Sequence, residues 1–150
     1  MHDNGPMKVR AILEAKGHHV ETTTESRSVT VAIHQMRTSG IGALVVTEDG
    51  ETIDGIISER DIVRGLAEHT SELLHRRVGD LMEHVVVTCS PDDSIKSVMS
   101  DMTLHRVRHI PVIERGRLLG IVSIGDVVKN RLEELELEAD VMRSAYLAKS

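Results

Sequence analysis

The sequence has no phenylalanine, no tryptophan and one tyrosine, Tyr146. Without aromatic rings there is no platform on which successive bases can stack. Any base held by this chain must lie between aliphatic side chains and backbone groups. Core volume falls to leucine, isoleucine, valine and the seven methionines, whose flexible thioethers fill irregular gaps. A single cysteine, Cys89, excludes an internal disulfide. Its neighbours Thr88 and Ser90 offer nothing that would lower a thiol pKa, so it reads as a packed or half-buried strand residue. No apolar run approaches the ~20 residues of a membrane span, and the first residues lack the basic and apolar regions of a secretory leader. The expected location is the cytoplasm, with no membrane partner. A net charge of −6 argues against nucleic acid as a partner, because a polyanion asks for a basic surface.

Catalytic and metal signatures are equally scarce. His18 and His19 are adjacent, which would put their rings on opposite faces of a strand, and His105 and His109 lie in a segment that reads as extended. Neither pair makes a metal site, since zinc asks for three or four ligands in recognisable spacing and no His-Glu-x-x-His occurs. Nor is there a Gly-x-Ser-x-Gly elbow, a glycine-rich phosphate loop ending in lysine, or a dinucleotide glycine fingerprint. The expectation is binding rather than catalysis, with no catalytic residue and no metal.

What the chain does contain is one unit written twice. Gly55-Ile56-Ile57-Ser58-Glu59-Arg60-Asp61-Ile62-Val63-Arg64 returns 65 positions later as Gly120-Ile121-Val122-Ser123-Ile124-Gly125-Asp126-Val127-Val128-Lys129, with five of ten positions identical. Upstream, Val29, Ala32, Ile33 and Met36 are matched by Ile95, Val98, Met99 and Met102, each set one apolar face of a short helix. A β-rich run follows in each copy, Ala43-Leu44-Val45-Val46 and His109-Ile110-Pro111-Val112-Ile113, and then a turn at Asp49-Gly50 or Arg115-Gly116. The predicted class is α+β with α/β-type alternation. Two repeats of strand, helix, strand, strand and helix, each with a helical lead-in, pack about a pseudo-twofold axis as one module. A half of about 60 residues has a marginal core alone. The expected divisions are a disordered 1–6, a first repeat 7–70, a second repeat 71–133 and a C-terminal helix 134–150.

The repeated Ser-x-x-Asp has two readings. Ser58 and Ser123 stand where a strand becomes a helix, and an acid three residues on makes a capping box, worth on the order of 1 kcal/mol per helix. An Asp just inside a helix can also accept hydrogen bonds from two vicinal hydroxyls, such as those of a ribose, and charge-assisted bonds of that kind are strong and directional. Duplication does not decide between them, because a repeated fold repeats its caps.

At these residues, and over nearly the whole span from Val9 to Glu133, the chain resembles a tandem pair of CBS domains, the Bateman module. The Gly-Ile-Ile-Ser-Glu-Arg-Asp and Gly-Ile-Val-Ser-Ile-Gly-Asp runs resemble that family's ribose-binding signature, and Arg108-His109-Ile110-Pro111-Val112-Ile113 resembles its second-strand signature. The resemblance implies adenine nucleotides in the cleft between the halves, AMP ahead of ADP, ATP or NAD(H), with S-adenosylmethionine a further known ligand of the family. It implies that Asp61 with Ser58 holds one ribose and Asp126 with Ser123 the other. The first strands, around Val20 and around Val85-Val86, would flank adenine. Arg108 and His109, whose first-half counterparts are Gly42-Ala43, would serve phosphate at the Asp61 site together with Arg60, leaving the Asp126 site empty, weaker or suited to a less charged ligand. A solvated strand charge is the commoner fate of an arginine such as Arg108.

From Val128 through Leu132, Leu135, Ala139 and Met142 to Tyr146 an apolar seam runs along a helix rich in glutamate. It reads as the contact of a homodimer or as a helix folded back on its own domain. The functional expectation is a non-enzymatic sensor acting on a protein target in trans. The alternative is a constitutive interaction or dimerisation module whose cleft is vestigial.

Overall fold

The computed structural model describes residues 5–149. Residues 1–4 of the expected disordered segment lie outside that range, and Gly5 and Pro6 are exposed. The first half comprises α1 (Val9–Lys16), β1 (Thr22–Thr23), α2 (Val29–Ser39), β2 (Ala43–Val46), β3 (Gly55–Ser58) and α3 (Glu59–His69), followed by a 3₁₀ turn over Thr70–His75. The second comprises α4 (Val78–Leu81), α5 (Ile95–His105), β4 (His109–Glu114), β5 (Arg117–Ser123) and α6 (Ile124–Ala148). Among the described residues no helix is long and apolar enough to cross a membrane.

Local chemistry sets the element ends. The hydroxyls of Ser28 and Ser94 accept the amides of Val31 and Ser97 and so start α2 and α5 at equivalent points. Gly40 ends α2 in the left-handed region at φ 65°, and its repeat counterpart Arg106 takes φ 55° without glycine's freedom. In the β2–β3 turn the Asp49 carboxylate accepts the amides of Thr52 at 2.7 Å and Glu51 at 2.9 Å, which holds its pKa down at about 2. The β4–β5 turn needs positive φ at both central residues and finds it at Arg115 and Gly116.

In the first half β1 runs parallel to β2, which pairs antiparallel with β3. In the second, β4 and β5 pair antiparallel, and the place of β1 is held by one parallel bridge, Cys89 to Val112, the counterpart of Thr23 to Val46. The first strands thus fall later along the chain than expected around Val20 and Val85-Val86. Val20 precedes β1, and Val85 and Val86 lie in the linker ahead of Cys89, with Val85 91% exposed. The Cys89 thiol is buried, and burial pushes its pKa up to about 12. Of the expected histidine placements only that of His109 in an extended segment holds. His18 and His19 lie outside any strand, where they contact the Leu119 carbonyl and the Glu21 carboxylate, while His105 ends α5 and His109 opens β4.

The lead-in helices are exchanged. Val9, Ile12 and Leu13 of α1 belong to the second half's core with Ile95, Val98, Met102, Ile110, Val112, Val122 and Val127. Val78 of α4 and the following Met82 join Ala32, Met36, Leu44, Val46 and Ile57 of the first half. The hydrogen bonds are reciprocal. Val9 donates to the Asp93 carbonyl and Ile95 to that of Met7, just as Val78 donates to the Arg27 carbonyl and Val29 to that of Arg76. The packing units therefore interleave the sequence repeats. Both conserved-in-repeat glycines sit under this contact. A Cβ on Gly120 would lie 2.7 Å from Leu13 Cδ2, and one on Gly55 2.7 Å from the Glu83 carbonyl oxygen and 2.8 Å from Met82 Sδ.

Helix α6 docks through its first turns only. Val127 and Glu134 are buried, and Glu134 accepts the Met7 amide at 2.6 Å while pairing with Arg131. From residue 135 to 149 every described residue is exposed, and so are Val128 and Leu132 earlier in the seam. The seam therefore does not fold back on its own domain. Overpacking a close contact costs roughly 1–3 kcal/mol. Gly55→Ala is expected to reach that range because it meets backbone oxygen, and Gly120→Ala to cost less because the end of Leu13 can move. Urea-unfolding midpoints of the two variants check this order.

Candidate functional site

Both Ser-x-x-Asp units form complete capping boxes. Asp61 Oδ2 accepts the Ser58 amide at 2.8 Å and the Ser58 hydroxyl at 3.0 Å, and Asp126 Oδ2 accepts the Ser123 amide at 2.9 Å and hydroxyl at 3.0 Å. The two carboxylates then part company. Asp61 is 3% exposed, and its Oδ1 stands 3.6 Å from Arg64 Nη2, while Arg64 Nη1 donates to the Glu83 carboxylate at 3.0 Å. Burial raises the Asp61 pKa, the Ser58 bonds oppose that rise, and Glu83 adds to it more than Arg64 relieves it. Asp126 also feels burial, but its bond to the Lys16 ammonium, with the Ser123 amide and the Lys16 charge, outweighs it and leaves the pKa low.

Each of the two helix starts is tied to the sheet of its own half. The first amide of α3, on Glu59, donates to the Gly42 carbonyl at 3.0 Å, and the first amide of α6, on Ile124, donates to the Arg108 carbonyl at 2.8 Å. His109 spans the seam between the halves and lies against Gly42. A Cβ placed on Gly42 would lie 3.1 Å from His109 Cε1 and 3.6 Å from Glu59 Cδ, so any larger residue there would press on the imidazole. Arg60 crosses in the other direction and donates to the Arg106 carbonyl at 2.9 Å. The start of α3, with Ser58, Arg60 and Asp61, is thus tied to the start of β4, with Arg108 exposed beside His109. Ser123 and Asp126 lie at the start of α6 with Lys16. Val20 and Val86 are half-buried, and Val85 points into solvent rather than into the seam.

Burial lowers the His109 pKa, against the pull of Glu59. The neutral imidazole is thus favoured, and fixed positive charge beside the seam comes from Arg108 and Arg60. Sequence reasoning missed Lys16, Arg64 and Glu59. Lys16 carried only the weak signal of a basic residue in the last turn of a helix. Arg64 was visible as the third residue after Asp61 on the same helix. Among the described residues no group of three or more histidine, cysteine or acidic side chains could hold a metal ion.

Comparison with known proteins identifies the family of this fold. The CBS-domain family profile matches residues 12–68 and 78–133, and the chain belongs to that family, whose members are generally regulatory, non-catalytic modules. A crystal structure of the CBS-domain-containing protein ATU1752 from Agrobacterium tumefaciens is 39% identical, with a TM-score of 0.81 over 83% of this chain and 99% of that one. The mitochondrial CBS-domain-containing protein CBSX3 of Arabidopsis thaliana is 35% identical over 131 residues, 82% of this chain but 64% of its own length, so the chain spans less than two thirds of that relative. The fold is also that of the CBS-domain pair of protein MJ0100, solved in complex with 5′-methylthioadenosine and S-adenosyl-L-methionine, at 22% identity and a TM-score of 0.73 over 82% of this chain and 98% of that one.

The opposite shifts of the two carboxylates have opposite consequences for stability. A depressed folded-state pKa contributes stability above the unfolded value that is lost as pH falls through the folded one, which is the case of Asp126. A raised pKa means that holding the ionised form costs stability at neutral pH, and that cost vanishes once the group is protonated, which is the case of Asp61. At pH 7 Asp61→Asn is expected to raise the urea midpoint and Asp126→Asn to lower it. Both differences should shrink when the measurement is repeated below the carboxylate range.

Proposed function

We propose that this CBS-domain pair is a non-catalytic cytoplasmic sensor that takes an adenine nucleotide in the seam at Asp61 and signals to a protein partner in trans. The observation that carries the reading is Asp61 itself. A helix cap needs one acceptor oxygen, and Oδ2 supplies it, yet the whole carboxylate is buried where its charge is opposed. Such a group is poor design for a cap alone and suits an acceptor for a ribose diol, whose bonds to an ionised oxygen are charge-assisted. Arg108 and Arg60 would offer charge to phosphate, and His109 a neutral ring nitrogen. The adenosine-bearing ligands of the MJ0100 pair support the ligand class. AMP is the first choice, ahead of ADP, ATP and NAD(H). To signal, the ligand must bind two relative poses of the halves, or of a dimer, with different affinity. The completeness of both capping boxes without ligand favours one other reading, a constitutive interaction module in which Ser58, Asp61, Ser123 and Asp126 serve only the helix starts.

The partner in assembly would be a second copy. Val63 and Leu66 of α3 and Val128, Leu132 and Leu135 of α6 expose apolar surface, and an open groove of about 520 Å³ runs from Ile33 and Met36 of α2 to Ile62 and Val63 of α3. Because Glu134 holds the Met7 amide, the informative truncation begins after it. Removing residues 137–150 is expected to turn a dimer by light scattering into a monomer, and a dimer for both chains would remove the tail of α6 as the main contact. For the ligand, a thermal-unfolding screen against AMP, ADP, ATP, NAD, NADH and S-adenosylmethionine follows. A ligand at 100 times its Kd adds ~2.7 kcal/mol, roughly 5–11 °C for a domain of this size. One adenylate is expected to give such a shift and Asp61→Asn to abolish it while remaining folded. No shift with any of them would leave the interaction module as the function.

A further inference from the structure

We infer that Lys16 closes the Asp126 cleft to ribose, so that the chain takes one adenine nucleotide, at Asp61, although its acceptor motif is duplicated. This rests on the nucleotide reading above. Asp126 Oδ2 already has three donors, the Ser123 amide at 2.9 Å, the Ser123 hydroxyl at 3.0 Å and the Lys16 ammonium at 2.6 Å. The same ammonium donates to the Ile121 carbonyl at 3.0 Å, so two of its three protons are committed to the start of α6. The pair is part-covered, with 35% of the Lys16 side chain and 25% of Asp126 exposed. A ribose hydroxyl arriving at Asp126 Oδ2 would have to displace a charged donor from a carboxylate whose charge is already paired.

The placement of Lys16 follows from the exchange of lead-in helices. Leu13 of α1 lies against Gly120, which fixes the last turn of α1 beside β5, and Lys16 is one turn further on. Met82 lies against Gly55 in the same way, but three residues beyond it stands Val85, apolar and 91% exposed. The Asp61 cleft therefore receives no lysine from its lead-in segment. Its ion-pair partner, Arg64, stays 3.6 Å from Oδ1 and is engaged by Glu83. The duplicated carboxylates thus differ in the cation they meet, Lys16 bonded at 2.6 Å to Asp126 and Arg64 no nearer than 3.6 Å to Asp61.

Titration calorimetry of the full chain with AMP and, in parallel, ATP tests this with Lys16→Met, Asp61→Asn and the double variant, each first shown to be folded by circular dichroism. Lys16→Met keeps the aliphatic stem and removes the charge. The wild type is expected to bind one equivalent and Asp61→Asn none. The double variant is expected to recover binding within about tenfold of the wild type, and Lys16→Met alone to bind two equivalents. Binding by the wild type with a silent double variant, or one equivalent in Lys16→Met, would overturn the inference and leave the nucleotide reading intact. Binding by Asp61→Asn that weakens when Lys16 is also removed would overturn it too, by making Lys16 a ligand-binding residue. Silence of the wild type and all variants would overturn the nucleotide reading and this inference with it.

Discussion

The contact on which the rest depends is the seating of each lead-in segment on the other half's glycine, Leu13 on Gly120 and Met82 on Gly55. Each half has too little core to be secure alone. Each is completed by residues from outside its own repeat, Val9, Ile12 and Leu13 in one case, Val78 and Met82 in the other. The exchange makes separation of the halves equivalent to opening both cores. A seam held in that way can be polar and partly open without endangering the fold, which is what a binding cleft requires. The two glycines are constrained by closeness of approach, since neither takes a positive φ.

The repeat, the two apolar helix faces, both capping boxes and both turns were legible because each is a local pattern whose signal spans a few residues. The exchange was not, because Val9 and Val78 read as ordinary apolar helix positions whichever half they serve. The first strand of the second half misled for a related reason. Val85, Val86 and Val87 look like a strand, yet Cys89 makes the bridge to Val112 and Val85 is left in solvent. Of the site, Ser58, Arg60, Asp61 and His109 do come to one seam, while the charge expected of His109 is suppressed by burial. Lys16 was beyond reach, since nothing in the sequence near it points more than a hundred residues ahead to Asp126.

Duplicated motifs need not remain duplicated functions. Ser58–Asp61 and Ser123–Asp126 have the same local geometry to within a tenth or two of an ångström in their acceptor bonds. Their electrostatics differ in sign of effect, because one carboxylate is buried beside Glu83 and the other is met by Lys16. A carboxylate whose charge stabilises the fold is explained by structure. One whose charge costs stability asks for a further reason, and that imbalance makes Asp61 rather than Asp126 the residue on which a functional reading can stand.

The same helices that begin at the acceptor residues carry the uncovered apolar surfaces. Helix α3 starts at the Asp61 box and exposes Val63 and Leu66, and α6 starts at the Asp126 box and exposes Val128, Leu132 and Leu135. A helix moves largely as a body, and α6, with 25 residues, is about 37 Å long at 1.5 Å per residue. A small tilt imposed at the seam would therefore become a larger displacement at the distal end, where every described residue from 135 onward is exposed. The coupling is limited by the difference in ligand affinity between two poses. A ligand that reached only the first turn of α3 could bias α6 only through groups spanning the seam. The candidates are the Arg60 bond to the Arg106 carbonyl and the packing of His109 between Gly42 and Glu59. Those contacts, rather than the capping boxes, join the start of α3 to the second half.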